Sequence, residues 1–407
     1  VRFSILVVDD DKDGNTGNLN STKLLTDSLD ALDYSYDLFD VSANGSNEDG
    51  PPASTMENYN SIYWVTGEAD RTLTATDVVN IKEYMNDISR ASFLLVGDNV
   101  LDDLETNNSD FLSNYFGITD IREMTENPEW VMGIEGNSIS HGMEYKMNSS
   151  SWSDKLYTFD NTSSELLLKS ENGVNLASRY VETNNFQSIL MGFDISHLDG
   201  TGVNNSWYDE FGGLDVDSGK AVKEELMFFI TKEFGLKEER KELRISDIDI
   251  EISSEHPMLG RSYQLSATIQ NAGGTGTNAL VRFKDGDSLI ASESMYVPGD
   301  GFASAEVNWQ PLFAGQSRPI RVLVDPAGIV QEIGNESGGS FVEHMGFNNH
   351  GMITKPVYYF WDDMESGAEN WNHEATIANI NGEHPIDYLS EDHNKSWTDV
   401  MYKWDNS

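Results

Sequence analysis

The sequence predicts two successive fold types, an α/β part followed by an all-β part. Up to Phe234, short apolar runs alternate with amphipathic helical patterns, as in an open, doubly wound and mostly parallel sheet. From Ile245 onward the helical period is absent, and short alternating runs are separated by Gly-rich turns. The 407 residues leave room for a core in each part. We therefore predict a multidomain chain with a doubly wound sheet, then an Ig-like antiparallel β-sandwich, then a partial β domain.

Short apolar runs mark six strands of the α/β part. Phe3–Val8 is apolar throughout, which is typical of a strand buried on both faces of a parallel sheet. The other five runs are Tyr36–Val41, Ser61–Val65, Ser92–Val96, Leu176–Val181 and Ser188–Phe193.

Helical patterns lie between these strands. Thr74 and Asp77 have the spacing of a capping box, so a helix is expected directly after them. Isolated Gly117 is a natural left-handed cap that would end a short helix. The other predicted helices cover the leucines Leu25, Leu29 and Leu32, the short segment Asp110–Phe116 and the longer segment Gly219–Phe234.

The all-β part begins after a charged linker, residues 237–242. Leu243–Ile252 alternates strictly between apolar and polar residues and is predicted to be one half-buried strand. Several short strands at regular spacing predict a two-sheet antiparallel sandwich of about 100 residues. The other strands expected in it are Tyr263–Gln270, Ala279–Lys284, Ser304–Trp309 and Ile320–Val324.

Composition excludes several classes of protein. The formal net charge of −43 repels nucleic acid phosphates and anionic membrane surfaces, so neither is an expected partner. The chain has no cysteine, which rules out disulfides, zinc–thiolate sites and cysteine nucleophiles. No apolar run approaches the roughly 20 residues that span a bilayer. A charge of this size suits a salty exterior, and an α/β unit followed by a sandwich in so acidic and cysteine-free a chain predicts an extracellular or cell-surface location.

An acidic loop follows the first predicted strand. Asp9, Asp11 and Asp13 have the alternate spacing of a Ca²⁺-binding loop, although Asn20 stands where such a loop normally ends in glutamate. Asp98 and Asp194 also follow strand ends and are expected at the same sheet edge. Carboxylate oxygens suit Ca²⁺ or Mg²⁺ better than zinc. The alternative is a solvated acidic turn in a chain that is acidic throughout.

A hydrolase triad is the other chemistry that the sequence suggests. Ser138, Ser140 and His141 lie close together, and acidic residues are plentiful. However, the G-x-S-x-G elbow of the α/β-hydrolases is missing. The H-E-x-x-H motif of zinc peptidases is also absent. We therefore expect no triad and no zinc peptidase site in this chain.

Residues 1–236 resemble a known domain family. The strings ILVVDDD, YDLFDV, SIYWVTG, TLTATD, FLLVGDN and MGFDISHL occur in the order found in the glutamine-amidotransferase-like, flavodoxin-like domains of large secreted bacterial and archaeal proteins. Amidotransferases place a cysteine on the turn that corresponds to Gly97-Asp98-Asn99. An aspartate there cannot form the thioester intermediate. The resemblance therefore implies a domain without its nucleophile, used for scaffolding or binding.

The second and third parts also carry resemblances. LRISDIDI, GRSYQLSATIQNAGGTGT, VPGDGFASAEVNWQP and AGQSRPIRVLVDPAGIVQEIGNES, within residues 243–352, are similar to the cell-adhesion-related CARDB domains of bacteria and archaea. Glu332 and Glu336 match the acidic residue that closes that pattern, whereas the paired asparagines come late, at Asn348-Asn349, after Gly338–Phe347, which is interpreted as an insertion. Tyr358–Glu374 resembles the opening strand of a jelly-roll, lectin-like domain, of which residues 353–407 would be an incomplete start. The chain is thus expected to end inside a domain.

These patterns predict a non-catalytic segment of an extracellular surface or secreted modular protein, serving adhesion, spacing or assembly and stabilised by calcium. The expected partners are other copies of the chain or surface proteins, with glycans as a further class. Two alternatives stay open. One is an accessory region of a secreted peptidase whose catalytic domain lies outside this chain, and the other is a metal-dependent hydrolase using the acidic sheet edge.

Overall fold

The structure is a computed structural model. It describes residues 5–11, 20–42, 49–67, 72–88, 90–148, 156–161, 163–182, 185–201, 218–235, 239–330, 332–333 and 349–358. The C-terminal segment 359–407, with the expected start of a jelly-roll domain, lies outside these residues.

The α/β part extends from β1 to α5. Its elements are β1 Ile5–Asp9, α1 Ser21–Ala31, β2 Tyr36–Asp40, α2 Ala53–Met56, β3 Ser61–Gly67, α3 Ala75–Asp87, β4 Ala91–Gly97, α4 Val100–Tyr115, β5 Ile118–Glu123, β6 Trp130–Gly133, β7 Glu144–Met147, β8 Tyr157–Asn161, β9 Glu165–Ser170, β10 Asn175–Val181, β11 Phe186–Met191, β12 Leu198–Thr201 and α5 Ser218–Glu233.

Ten of these strands form one sheet, in the order β12-β7-β6-β9-β10-β11-β4-β3-β1-β2. The five strands β2, β1, β3, β4 and β11 are parallel. Beyond β11, every pairing is antiparallel, from β10 to β12. The described chain is mostly β, and the doubly wound α/β architecture expected for residues 1–236 stays a prediction.

Apolar side chains cover both faces of the parallel strands. Ile5 and Val7 belong to one core cluster, together with residues of α1 and α5. Leu6 and Val8, which point the opposite way, pack in a second cluster with residues of α3 and α4. This two-sided burial explains why β1, β3 and β4 are continuous apolar runs.

One predicted helix start is correct and another is wrong. The capping box before α3 is confirmed: Asp77 N–H donates to Thr74 Oγ1 at 3.1 Å, and Thr74 N–H donates to Asp77 Oδ2 at 2.8 Å. The short helix expected from residue 110 is wrong in its start, because α4 begins at Val100. A non-helical residue inside it, Asn108 with φ −151°, separates two apolar stretches and hides their continuity.

The all-β part is a sandwich of two antiparallel sheets. Strand β15 is flanked by β13 and β14 on one side and by β18 on the other, while the second sheet has the order β17-β16-β19-β20. Apolar side chains of both sheets form a third core cluster. Its strands are β13 Leu243–Arg244, β14 Ile250–Ile252, β15 Tyr263–Asn271, β16 Thr277–Asp285, β17 Ser288–Val297, β18 Gly301–Trp309, β19 Gly315–Val324 and β20 His350–Val357.

Two expectations for this part are corrected. Leu243–Ile252 is not one strand, because a 3₁₀ turn at Asp247–Asp249 divides it. A capping box causes the break: Ser246 N–H and Oγ–H both donate to Asp249 Oδ2, at 2.9 and 2.6 Å. The end expected at residue 352 also shifts, since β20 continues to Val357 in register with β19.

The segment expected to be a linker is tied to both parts. Arg240 donates to the carbonyl of Leu32 in the α/β part at 3.0 Å. In the sandwich, Ala272 N–H donates to Glu242 O at 2.6 Å. The described residues from β1 to Tyr358 accordingly fall in one compact unit. Among the described helices, none is long and apolar enough to cross a membrane.

Candidate functional site at the carboxyl edge of the parallel sheet

The predicted sheet edge brings two aspartates together. Asp98 follows β4 and Asp194 follows β11, and both side chains are buried. Asp98 Oδ1 accepts the backbone N–H of Asp194 at 2.6 Å, and its Oδ2 lies 2.7 Å from His197 Nε2. Both oxygens of Asp98 are thus engaged by the segment after β11.

Asp194 is held by the chain around it. Its Oδ1 accepts Ser196 N–H at 2.6 Å, and its Oδ2 accepts the hydroxyl of Ser21 at the start of α1. Burial raises the pKa of the Asp194 carboxyl, and the nearby Asp98 charge raises it further. The site therefore connects β4, β11 and α1 through one buried polar network.

Asp9 and Asp11 contact the N-terminus of α1. Asp9 Oδ1 accepts the Thr22 hydroxyl at 2.8 Å, while Asp11 Oδ2 accepts Ser21 N–H at 3.2 Å. Carboxylates at a helix N-terminus are stabilised by its free N–H groups and by the helix dipole. Asp13, the third residue of the predicted calcium loop, lies outside the described residues.

One group of three carboxylates in the described residues is close enough together to hold a metal ion. Within the described ranges, Asp9, Asp11 and Asp98 do not form a group whose ligand atoms all lie within 4.8 Å of one another. Glu57, Glu83 and Asp87 do form such a group, and all three are exposed. The acidic cluster that could bind a metal is therefore one that the sequence did not indicate, and the calcium loop stays a prediction.

The turn between β4 and α4 is short and closely packed. Strand β4 ends at Gly97 and α4 begins at Val100, so only Asp98 and Asn99 connect them. A side chain at Gly97 would collide with Thr66 Oγ1, which keeps this turn tight. Asp98 cannot supply the thiolate of an amidotransferase, and its oxygens are already hydrogen-bonded.

The sequence did not assign His197 and Ser21 to this site. His197 lies within the string MGFDISHL, and the spacing of Asp194 and His197 around one turn could have suggested it. Ser21 reaches the site from a distant part of the sequence, and no local pattern marks it.

The triad suggested by Ser138, Ser140 and His141 does not form. Gly136 N–H donates to His141 Nδ1 at 2.8 Å, so the other ring nitrogen carries the proton and donates to Asp249 Oδ1 at 3.1 Å. Ser140 Oγ instead donates to Asn137. No lone pair of His141 remains to accept a serine proton.

The raised pKa of Asp194 gives a testable pH dependence. When the pKa of a carboxyl is higher in the folded state than in the unfolded state, the free energy of unfolding decreases as the pH rises from the unfolded-state pKa to the folded-state pKa. Above the folded-state pKa the loss of stability is complete. Asp194→Asn removes the charge, and its amide can still bond Ser21. We expect its melting temperature at pH 7 to exceed that of the parent, with the difference shrinking toward pH 4. Asp199→Asn, at an exposed position nearby, is the control that should change nothing. A lower melting temperature for Asp194→Asn at pH 7 would contradict this account.

Comparisons with solved structures find similarity to several proteins. A CARDB domain from Pyrococcus furiosus, solved in complex with di-metal ions, matches 30% of this chain and 97% of its own, at 20% identity and a TM-score of 0.25. A domain from Methanosarcina acetivorans, named for a cell surface protein, matches 30% of this chain and 95% of its own, at 18% identity and a TM-score of 0.23. An exo-β-1,4-mannosidase from Opitutaceae bacterium strain TAV5 matches 48% of this chain and 32% of its own, at 14% identity and a TM-score of 0.30.

No protein-family model and no curated protein matches the chain. The similarity to the CARDB domain of Pyrococcus furiosus covers 30% of the chain. The amidotransferase-like and jelly-roll resemblances stay predictions.

Proposed function

We propose that this chain is a non-catalytic segment of an extracellular or cell-surface protein, in which an amidotransferase-like α/β part and a CARDB-like sandwich form one rigid spacer. The observation that carries the proposal is the junction between them. Ala272 and Ile333 of the sandwich belong to the same core cluster as the strands and helices of the α/β part. A shared core favours a fixed orientation of the two parts over a free hinge.

Cationic side chains reinforce this junction. The guanidinium of buried Arg244 lies 4.7 Å from the centroid of Phe229 on α5, and it donates to the carbonyl of His141. From the same helix, Lys232 Nζ donates to Ala272 O in the sandwich at 2.5 Å. Each contact crosses from one part to the other, so bending at the junction would break several bonds together.

Glu332 fixes the point where the chain enters the sandwich. Its buried carboxylate accepts Leu243 N–H at 2.7 Å and Asn349 Nδ2–H at 3.1 Å. Lys241 forms a β-bridge with the same residue. Charge-assisted hydrogen bonds of this kind are stronger than neutral ones. The entry strand and the start of β20 are thus held by a single side chain.

The sheet edge supports a role without catalysis. The position where an amidotransferase would carry its nucleophile holds Asp98, which is buried and bonded to His197. The chain also lacks cysteine. A net charge of −43 keeps such a segment soluble and favours cation-mediated assembly at a surface. The same spacer would also serve a secreted peptidase whose catalytic domain lies elsewhere in a longer chain.

Calcium binding tests the assembly part of the proposal. Adding calcium to the chelator-stripped protein is expected to raise the melting temperature, because an ion bound by the carboxylates of Asp9 and Asp11 would stabilise the folded state. The measurement is calorimetric titration, with light scattering on the same samples to follow the mass. Saturable uptake together with growth in mass is the predicted result.

Two double variants separate the candidate sites. Asp9→Ala with Asp11→Ala should abolish the calcium-dependent rise, whereas Glu83→Ala with Asp87→Ala, in the exposed acidic cluster, should leave it intact. If the second double variant abolished the rise and the first did not, the calcium site would be the exposed cluster. An absence of uptake, with a constant monomer mass, would end both the calcium and the calcium-driven assembly proposals.

A further inference from the structure

A cleft lies where the α/β part meets the sandwich. Its volume is about 640 Å³, and its walls come from the β6–β7 loop, the C-terminal turns of α5 and the outer surface of β15 and β18. This volume falls within the range of roughly 300–1,000 Å³ that is usual for small-molecule sites, which often form at domain interfaces. The cleft shares no lining residue with the acidic sheet edge.

The charged residues in the cleft are already paired within the protein. Glu233 forms an ion pair with Arg179 and accepts the Ser138 hydroxyl at 3.2 Å. Lys232 pairs with Asp300 at 2.7 Å, and Asp249 is bonded to His141 as described above. A phosphate or carboxylate ligand is bound most strongly by hydrogen bonds from a cationic side chain that has no other ion-pair partner. The described lining residues offer none, so the cleft suits an uncharged ligand.

Polar bonding capacity nevertheless remains at the mouth of the cleft. The side-chain amide of Gln270 makes no hydrogen bond in the part of the chain that the structure describes. An amide can donate twice and accept twice. Oxygens of Glu233 and Asp249 retain lone pairs that can accept further hydroxyl donors. This combination of donors and acceptors matches a ligand that carries several hydroxyl groups.

An exposed aromatic ring stands directly beside that amide. Gln270 on β15 and Phe302 on β18 are cross-strand partners, so their side chains project from the same outward face of the sheet. Phe302 is 57% exposed, although burying such a ring in the core would be favourable. A sugar ring has an apolar C–H face and a rim of hydroxyl groups. The phenyl ring complements the C–H face, and the neighbouring amide can form hydrogen bonds with the hydroxyls.

The polar surface continues from the cleft along the same two strands. Thr268 and Ser304 are hydrogen-bonded across the strands at 3.2 Å, and farther along Gln264 donates to Glu306 at 2.6 Å. From Gln264 to Gln270 this face extends for about 20 Å at the usual rise per residue of a strand. Such a strip can contact more than one sugar unit.

We propose that the cleft binds a neutral oligosaccharide, with one ring packed on Phe302, hydroxyls bonded to Gln270, and further units along the β15–β18 face. This proposal goes beyond the spacer function and does not depend on it. The test is isothermal titration of the full chain with neutral hexasaccharides built from glucose, mannose, galactose or N-acetylglucosamine, and with the matching disaccharides. At least one hexasaccharide should bind with a Kd below about 1 mM, and more tightly than its disaccharide.

Substitutions at the cleft sharpen the test. Phe302→Ala and Gln270→Ala should each weaken binding by about tenfold or more, as loss of a central contact does. Phe313→Ala is the matched control, because Phe313 is 63% exposed on the same sandwich and does not line the cleft. Both phenylalanines are surface residues, so the variants should fold, and melting curves will verify this. No neutral saccharide binding, equal losses for Phe302→Ala and Phe313→Ala, or binding of only an anionic saccharide would overturn the proposal.

Discussion

Replacing Trp309 by alanine is expected to lower the free energy of unfolding by about 3–5 kcal/mol, the usual range for a buried tryptophan. Trp309 is 1% exposed in the sandwich core. Its indole N–H donates to Asp285 Oδ2 at 3.2 Å, and the other oxygen of Asp285 pairs with Arg318 at 2.5 Å. The substitution therefore removes a large apolar volume and one partner of a mostly buried carboxylate.

Urea unfolding followed by circular dichroism measures this loss. Leu312→Ala is the control, because Leu312 is 71% exposed and should change stability by less than about 0.5 kcal/mol. Trp309→Phe keeps most of the volume without the N–H, so an intermediate loss is expected. A loss below about 1 kcal/mol for Trp309→Ala would mean that the site collapses around the cavity and is not a rigid core.

Replacing Arg244 by alanine is expected to loosen the junction. The side chain is 4% exposed, packs over Phe229 and satisfies the His141 carbonyl. A hydrogen bond from a charged group contributes about 1.5–3 kcal/mol and a desolvated cation–π contact about 2 kcal/mol, so the expected loss is about 3.5–5 kcal/mol. Because the contacts cross between the parts, we also expect the calorimetric transition to broaden or to separate into two.

Arg122→Ala provides the matched comparison for Arg244. Arg122 is 60% exposed and pairs with Asp160, which is 52% exposed. Exposed ion pairs of this kind contribute between 0 and about 1 kcal/mol. Arg244→Lys, which keeps the charge without the planar group, should give a partial loss. Equal effects of Arg122→Ala and Arg244→Ala would show that the junction contacts add no special stability.

The sequence is sufficient to predict those strands and helix starts that are determined by a single short segment. The parallel strands β1, β3 and β4 were predictable because burial on both faces requires continuous apolar runs. The capping box of Thr74 and Asp77 placed the start of α3. Asp98 and Asp194 were placed at the same edge because parallel strands end there together. Each of these inferences uses short segments, a single strand and its end or a single helix start, together with the rule that parallel strands end at one edge.

Features that depend on distant pairing were not predictable. Strands β6 and β7 are four residues each, and Glu144–Met147 alternates too briefly to stand out in a polar segment. The break between β13 and β14 depends on a side-chain bond from Ser246, which interrupts an otherwise regular strand pattern. Gln270 and Phe302 are neighbours only through the register of β15 with β18. The cleft is therefore a property of the folded chain that no local motif encodes.

If the α/β part and the sandwich form one rigid spacer, as we propose, the distance between them is fixed. Because the chain has no cysteine, Val79→Cys with Leu289→Cys would give a pair of spin-label sites, one exposed on α3 and one exposed at the start of β17. Electron–electron double resonance between the two labels measures the distribution of their separation. We predict one narrow distance that broadens when Arg244→Ala is added. A broad or bimodal distribution in the parent chain would show that the two parts hinge freely and would contradict the account.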